Sequence, residues 1–307
     1  MNASEQAELV AITHWHDDHI RGASEIVEVC KSAAVCVSDA FTRDEFKEFL
    51  SVFSTTKKSE HGTGVDEFVA TLEHIREPGR RTYRGSQDKR ILNVPSEQLA
   101  HGSSCEVWTL SPSDFQTMES EARFASLIPE ARSTMRRAAP GGPNNHSVAM
   151  WIAIGDVHIV LGADLERTVD SRAGWESVVS STNRPNGEVS LFKVPHHGSE
   201  NAHHDGLWAT VLRANVNAIV TPWNRNAGLP TVTDLERLGA ATANLFITAP
   251  STSMVRARHE HSVERMMREF QVKTKRHPFT VGAVTARLDY GSGCDWVVTK
   301  WELPPIK

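Results

Sequence analysis

His14-Trp15-His16-Asp17-Asp18-His19 places three imidazoles and two carboxylates in six residues, directly after the apolar run Leu9-Val10-Ala11-Ile12. Imidazole nitrogen and carboxylate oxygen are the borderline-hard donors that suit Zn(II), Mn(II) or Fe(II). In extended backbone, residues two apart project the same way, so His14 and His16 can address one cation. A turn into a helix beginning near Ile20 would carry Asp18 and His19 toward a second. The bland alternative is a His-rich solvated loop.

Working outward, short apolar runs rich in branched residues alternate with amphipathic stretches, a pattern that predicts an α/β layer architecture. Strands are expected at Leu9–Thr13, Ala34–Ser38, Glu106–Leu110, Val148–Ile154, Val157–Leu161, Val189–Val194, Ala218–Thr221 and Leu245–Thr248. Helices are expected at Ser24–Lys31, Asp44–Phe53, Val65–Arg76, Ser113–Leu127, Leu207–Ala214, Val232–Leu238 and Val263–Phe270. Gly155-Asp156 between two apolar runs predicts a tight hairpin, and Gly282–Asp289 with Asp295–Trp301 predicts a second one near the end of the chain. From about 54 to 145 the sequence is polar and irregular, and is expected to decorate one domain spanning 1–307.

Composition sets the outer limits. With 39% hydrophobic and 23% charged residues, 307 residues can bury a full core, and a net charge of −5 gives no global footprint for nucleic acid. Cys30, Cys36, Cys105 and Cys294 form no C-x-x-C pair, which predicts reduced thiols and a cytoplasmic location. No run approaches the roughly 18 apolar residues of a membrane span, so no membrane partner is expected.

Asp164 ends the apolar run Val157–Leu161 after a single turn. A carboxylate at the end of a central strand is costly unless a cation compensates it. A metal is one compensation; service as a helix N-cap ahead of Glu166 is the other.

H-x-H-x-D-H after a strand resembles the signature of the metallo-β-lactamase superfamily. Pro143-Asn-Asn-His-Ser147, Val160-Leu-Gly-Ala-Asp164-Leu-Glu166 and Leu191-Phe-Lys-Val-Pro-His-His-Gly-Ser199 resemble successive motifs in the soluble hydrolase domain of ComEC-type competence (DNA-uptake) proteins. The segment from Thr221 to Pro230 is similar to that branch's late loop, with Leu229 where the branch has histidine. Ala163 replaces the glycine that ordinarily precedes the bridging aspartate. The resemblance implies an αββα sandwich. Because family members carry strands upstream of H-x-H and only thirteen residues precede His14 here, it further implies a sandwich lacking part of the N-terminal sheet. Either the chain is an N-terminal truncation, or another segment or a partner subunit is then expected to cover the open edge.

The resemblance also implies roles. His14 and His16 would bind one cation, Asp18 and His19 the other, with Asp164 bridging. His197 would complete the second set, His196 being the competing ligand. His146 lies where the superfamily often supplies a further histidine, and ligand and non-ligand both stay open for it; Asn144 and Ser147 are expected to shape their loop by bonding backbone groups. Two divalent cations, Zn2+ first and Mn2+ second, would share a water and lower its pKa from about 15.7 toward 7. The implied activity is hydrolysis by that metal-bound hydroxide, with Asp18 orienting it and His196 or His203 protonating the leaving group. His203-His204 are otherwise expected to be solvated at a helix start.

The DNA-uptake likeness makes a phosphodiester of DNA or another nucleic acid the leading substrate. The basic groups Arg76, Arg80, Arg81, Arg84, Lys89, Arg90 and Arg132, Arg136, Arg137 can either grip phosphates or form solvated faces. Two other functions remain: hydrolysis of a small ester, lactone, thioester or cyclic nucleotide, and a degenerate binding module in a larger assembly. Trp15 and Trp223 are expected to flank the pocket, and packing is their ordinary use.

Overall fold

The structure is a computed structural model that describes residues 3–48, 64–99, 102–127, 143–223, 228–249, 282–288 and 295–302. The expected helix Val263–Phe270, part of the helix Asp44–Phe53, the basic group Arg132, Arg136 and Arg137, and Cys294 lie outside these residues. Where the sequence suggests one domain, the chain gathers into two compact units, Met1–His196 with Asn201–Arg213, and His197–Glu200 with Ala214–Lys307.

Two sheets form the heart of the first unit. In one, β1 (Leu9–Ile12), β2 (Ala34–Ser38) and β3 (Thr82–Gly85) run parallel in that order. The period-2 alternation of β-structure sorts their side chains. Ile12, Val35 and Val37, with Val10, face Ile20, Val27, Phe46 and Phe68 on the helical side. Leu9, Ala11, Cys36 and Tyr83 face the other way, onto Ile91, Leu92, Val107, Met150, Ile152 and Leu161. The latter residues belong to the second sheet, in which β4 (Lys89–Val94), β5 (Cys105–Thr109), β6 (Met150–Ile154) and β7 (Val157–Leu161) are antiparallel neighbours and β8 (Val189–Lys193) adds in parallel to β7. Helices Gly174–Ser180 and Asp205–Thr210 cover its far face through Trp175 and Trp208 against Phe192. Helix, sheet, sheet and helix thus succeed one another, which is the α/β layering expected.

Several elements depart from expectation. β3 and β4 lie in the stretch read as irregular decoration, and β5 and the helices Gly64–Ile75 and Asp114–Leu127 also fall there. That stretch is therefore part of both sheets. β3 and β4 are edge strands whose exposed residues, Thr82, Arg84, Lys89, Arg90 and Asn93, are polar or charged, as edges commonly are, and this masks their alternation. The expected helix Leu207–Ala214 ends at Thr210, and β9 (Leu212–Val220) starts two residues later. β1 is the other edge of its sheet, with β2 as its neighbour.

In the second unit, β9 pairs in parallel with β10 (Leu245–Ile247). Helix Val232–Ala241 is capped by Thr231, whose hydroxyl accepts from the Asp234 amide while Asp234 accepts from the Thr231 amide, a complete capping box. β11 (Gly282–Leu288) and β12 (Trp296–Glu302) form the expected antiparallel pair. Among the described residues, no helix is long and apolar enough to cross a membrane.

Candidate metal centre

His14 and His16 follow β1 on extended backbone, and the helix Asp17–Ile20 begins at once, three residues earlier than expected. The amides of His19 and Ile20 both donate to the His16 carbonyl, so Asp18 and His19 are presented from the first turn of this helix. Trp15, between the ligands, points into the core: it is 4% exposed and stacks on Phe41 and Phe46. It is a packing residue that anchors the motif.

Asp164 arrives from β7. The Gly162 amide donates to the Lys193 carbonyl, and a Cβ at position 162 would stand 2.9 Å from that oxygen, so the two strand ends approach as closely as glycine allows. Ala163 then takes a left-handed conformation (φ 46) and its carbonyl accepts from the amide of His196, itself left-handed (φ 44). Ser147 fixes the Asp164 backbone by accepting from its amide at 2.9 Å. Asp164 caps no helix, so the alternative drawn from sequence does not hold.

These segments bring one ring nitrogen each of His14 and His16 and an Asp164 oxygen within 4.8 Å of one another. His14 Nε2 stands 3.1 Å from His16 Nδ1 and 3.6 Å from Asp164 Oδ2. With bonds of about 2.0–2.1 Å, tetrahedral zinc ligands stand about 3.3–3.4 Å apart, so these spacings bracket what the ion requires. Thr13 Oγ1 lies 3.1 Å from His14 Nδ1 and can take its proton, leaving the lone pair on Nε2, as ligand histidines need. His19 Nε2 lies 3.1 Å from Asp164 Oδ1 and 3.4 Å from Asp18 Oδ2.

Electrostatics follow from burial and these contacts. Burial pushes the fully enclosed His14 imidazole down to about 4 and lowers His16 as well. Burial also opposes the charged form of Asp164, but the His14 and His19 rings beside it outweigh that and hold the carboxyl well below the usual carboxylate range. For His19 burial again works against charge, and its bonds to Asp164 and Asp18 win, raising it. Two anionic groups and a buried lone pair thus already share the space a cation would occupy.

His146 lies outside that set of three. Ser120 donates its hydroxyl hydrogen to the Gln116 carbonyl, so Ser120 Oγ accepts from His146 Nδ1 at 2.7 Å. The ring packs among Trp15, Phe41 and Phe124, and burial pushes it down to about 3. Asn144 shapes its loop differently from expectation: its side-chain amide donates to Glu166 Oε1 at 2.6 Å rather than to backbone, while Ser147 behaves as expected. His203 and His204 are not merely solvated. His204 caps the helix Asp205–Thr210 and bonds Glu176 at 2.7 Å, and His203 stacks on Trp208.

His196 Nδ1 lies 3.0 Å from Asn201 Oδ1 and 3.1 Å from Glu166 Oε1. Sequence reasoning missed Glu166 and Asn201, although an acid two residues after Asp164 was a visible signal. His197 belongs to the second unit, where its Nδ1 donates to the Thr221 carbonyl at 2.9 Å and its ring stacks on Trp223.

In the described part of the basic stretch, Arg80 is engaged within the fold, while Arg81, Arg84 and Arg90 make ion pairs at the surface. Arg80, nearly buried, donates to the carbonyls of Val27, Cys30 and Lys31 at the end of helix Ala23–Val29. Arg81, Arg84 and Arg90 meet Glu8, Asp39 and Glu106. Compared with family models and with curated proteins, the chain matches none.

Proposed function

We propose that this chain is a metal-dependent hydrolase of the metallo-β-lactamase fold that acts on phosphodiesters, those of DNA or another nucleic acid first. One observation carries it: two histidines after β1 and an aspartate after β7, about 150 residues apart in sequence, converge at ligand spacing in a buried site. The layer order of the first unit and the likeness of four motifs to the ComEC-type hydrolase domain support the same reading.

The residues fit divalent cations, Zn2+ first and Mn2+ second. His14, His16 and Asp164 would hold one; Asp18, His19 and, by the sequence assignment, His197 would hold the other. Such cations supply Lewis acidity, lowering the pKa of a water to about 7 and polarising a phosphoryl oxygen. Asp18, the most exposed of the acidic groups, accepts a hydrogen bond from the attacking water and orients it. His196 stands beside the cluster, within electrostatic reach of Asp164 and His16, and delivers a proton to the departing oxygen. The buried walls around His14 keep bulk water from competing.

The test is hydrolysis of bis(p-nitrophenyl) phosphate and of single-stranded and duplex DNA by wild type, His16→Ala and Asp164→Ala, in zinc or manganese. Wild type is expected to cleave, and each substitution to lower turnover by about 100-fold or more. Activity surviving both would end the proposal. A second reading, hydrolysis of a small ester, lactone, thioester or cyclic nucleotide, is favoured by the internal engagement of Arg80, which takes that cation out of reach of a phosphate. It predicts turnover of the small phosphodiester without DNA cleavage and little dependence on salt, whereas DNA binding weakens steeply as salt rises.

A further inference from the structure

We infer that helix Gly64–Ile75 braces the ligand turn, and that Asp17 and Gly64 are positioning residues that set where His14, His16, Asp18 and His19 stand; this rests on the metal-centre reading above. Asp17 is the one carboxylate of the motif assigned to no cation. Its Oδ1 accepts from the Gly64 amide at 2.7 Å, across 47 positions of sequence. That amide opens the helix, and the first N–H groups of a helix have no acceptor inside it. A carboxylate at a helix start is favoured by the dipole as well. Asp17 thus caps a helix remote in sequence, although it also begins the short helix Asp17–Ile20.

A second bond runs the opposite way. Glu67, three residues into the same helix, accepts with Oε1 from both the amide and the hydroxyl of Ser24, at 2.9 and 2.7 Å. Ser24 lies in the first turn of helix Ala23–Val29, which follows the ligand turn directly. The brace therefore grips the chain at 17 and at 24, on either side of Asp18 and His19. Its apolar face reaches the motif too: Phe68 meets Phe41 and Phe46, on which Trp15 stacks.

Glycine at 64 makes this approach possible. A Cβ there would stand 2.1 Å from the Trp15 carbonyl oxygen and 3.0 Å from Asp17 Oδ1. A backbone oxygen cannot swing aside as the end of a flexible side chain can, so any side chain at 64 displaces the peptide link from Trp15 to His16. Helix propensity argues the other way, since alanine is the better helix former. Glycine is here for the contact with the ligand turn. A helix that only covered the sheet would need Phe68, but neither bond to the residues flanking the ligands.

Two measurements on the full chain test this. The first is zinc binding by calorimetry. Asp17→Asn keeps an acceptor oxygen for the Gly64 amide and is expected to bind within about 3-fold of wild type, whereas Asp17→Ala and Gly64→Ala are each expected to lose about 10-fold or more in affinity. Arg21→Ala removes only the exposed partner 4.0 Å from Asp17 Oδ2 and is expected to bind as wild type does. Equal loss in Asp17→Asn and Asp17→Ala would make charge rather than the bond the cause and overturn the inference, as would undiminished affinity in Asp17→Ala. The second is amide hydrogen exchange in metal-free protein. The amides of His19 and Ile20, which both donate to the His16 carbonyl, are expected to exchange about 10-fold or more faster in Asp17→Ala, with those of β6 and β7 unchanged. Acceleration throughout the sheet would assign Asp17 to stability alone and overturn the inference. Should wild type bind no zinc, the metal-centre reading falls and exchange alone decides: His19 and Ile20 amides that exchange in Asp17→Ala as in wild type remove the brace.

Discussion

His14 and His146 are imidazoles that burial keeps neutral, pushed down to about 4 and about 3, and both lie within a few per cent of full enclosure. Their folded values lie below the ordinary value of 6.5, so between about pH 6.5 and 4 the unfolded chain takes up two protons that the folded chain refuses. Stability is therefore full above pH 6.5 and falls on acidification, by about 1.4 kcal/mol per pH unit for each group. The raised His19 and His196 do not offset this, because below 6.5 they are protonated in both states. In metal-free protein the urea midpoint is expected to drop steadily from about pH 6.5 to 5, and the drop should shrink in His146→Phe; a flat profile would contradict the buried neutral state. The spacing of His14, His16, Asp18 and His19 was legible because local backbone geometry alone aims those side chains. Glu166 and Asn201 were not legible as partners of His196, because only the packing of two loops brings residues 30 positions apart to one ring.

At the scale of elements, β2, β6, β7 and β8 were readable as branched apolar runs because both of their faces are covered. The edges β3 and β4 were not, since their exposed residues are polar or charged and blur the alternation. Helix and strand competed at 207–214, where a short helix gives way to β9 within two residues. The end of β7 carries the plainest energetic consequence. Ala163 is left-handed at φ 46, a conformation that suits glycine, and the likeness to related hydrolases places glycine there. Ala163→Gly is expected to stabilise the protein by about 1 kcal/mol, the relieved strain exceeding the added chain entropy. Thermal or urea denaturation reads this directly, and a destabilised variant would mean that Ala163 is held by packing that outweighs its backbone.

For the whole molecule, the first unit carries the layered sheets and the cluster, and the second carries His197 and the β9–β10 pair. The candidate ligands enter from strand ends at positions 14, 16 and 164, which is why sequence spacing alone pairs the first two and only a completed sheet joins the third. The central claim is that these residues hold a cation, and equilibrium zinc binding measured by calorimetry on wild type, His16→Ala and Asp164→Ala tests it most directly. Wild type is expected to bind about two zinc ions per chain, and each variant to lose at least one site or about 100-fold in affinity; a wild type that binds no zinc, or variants that bind it as wild type does, would contradict the account.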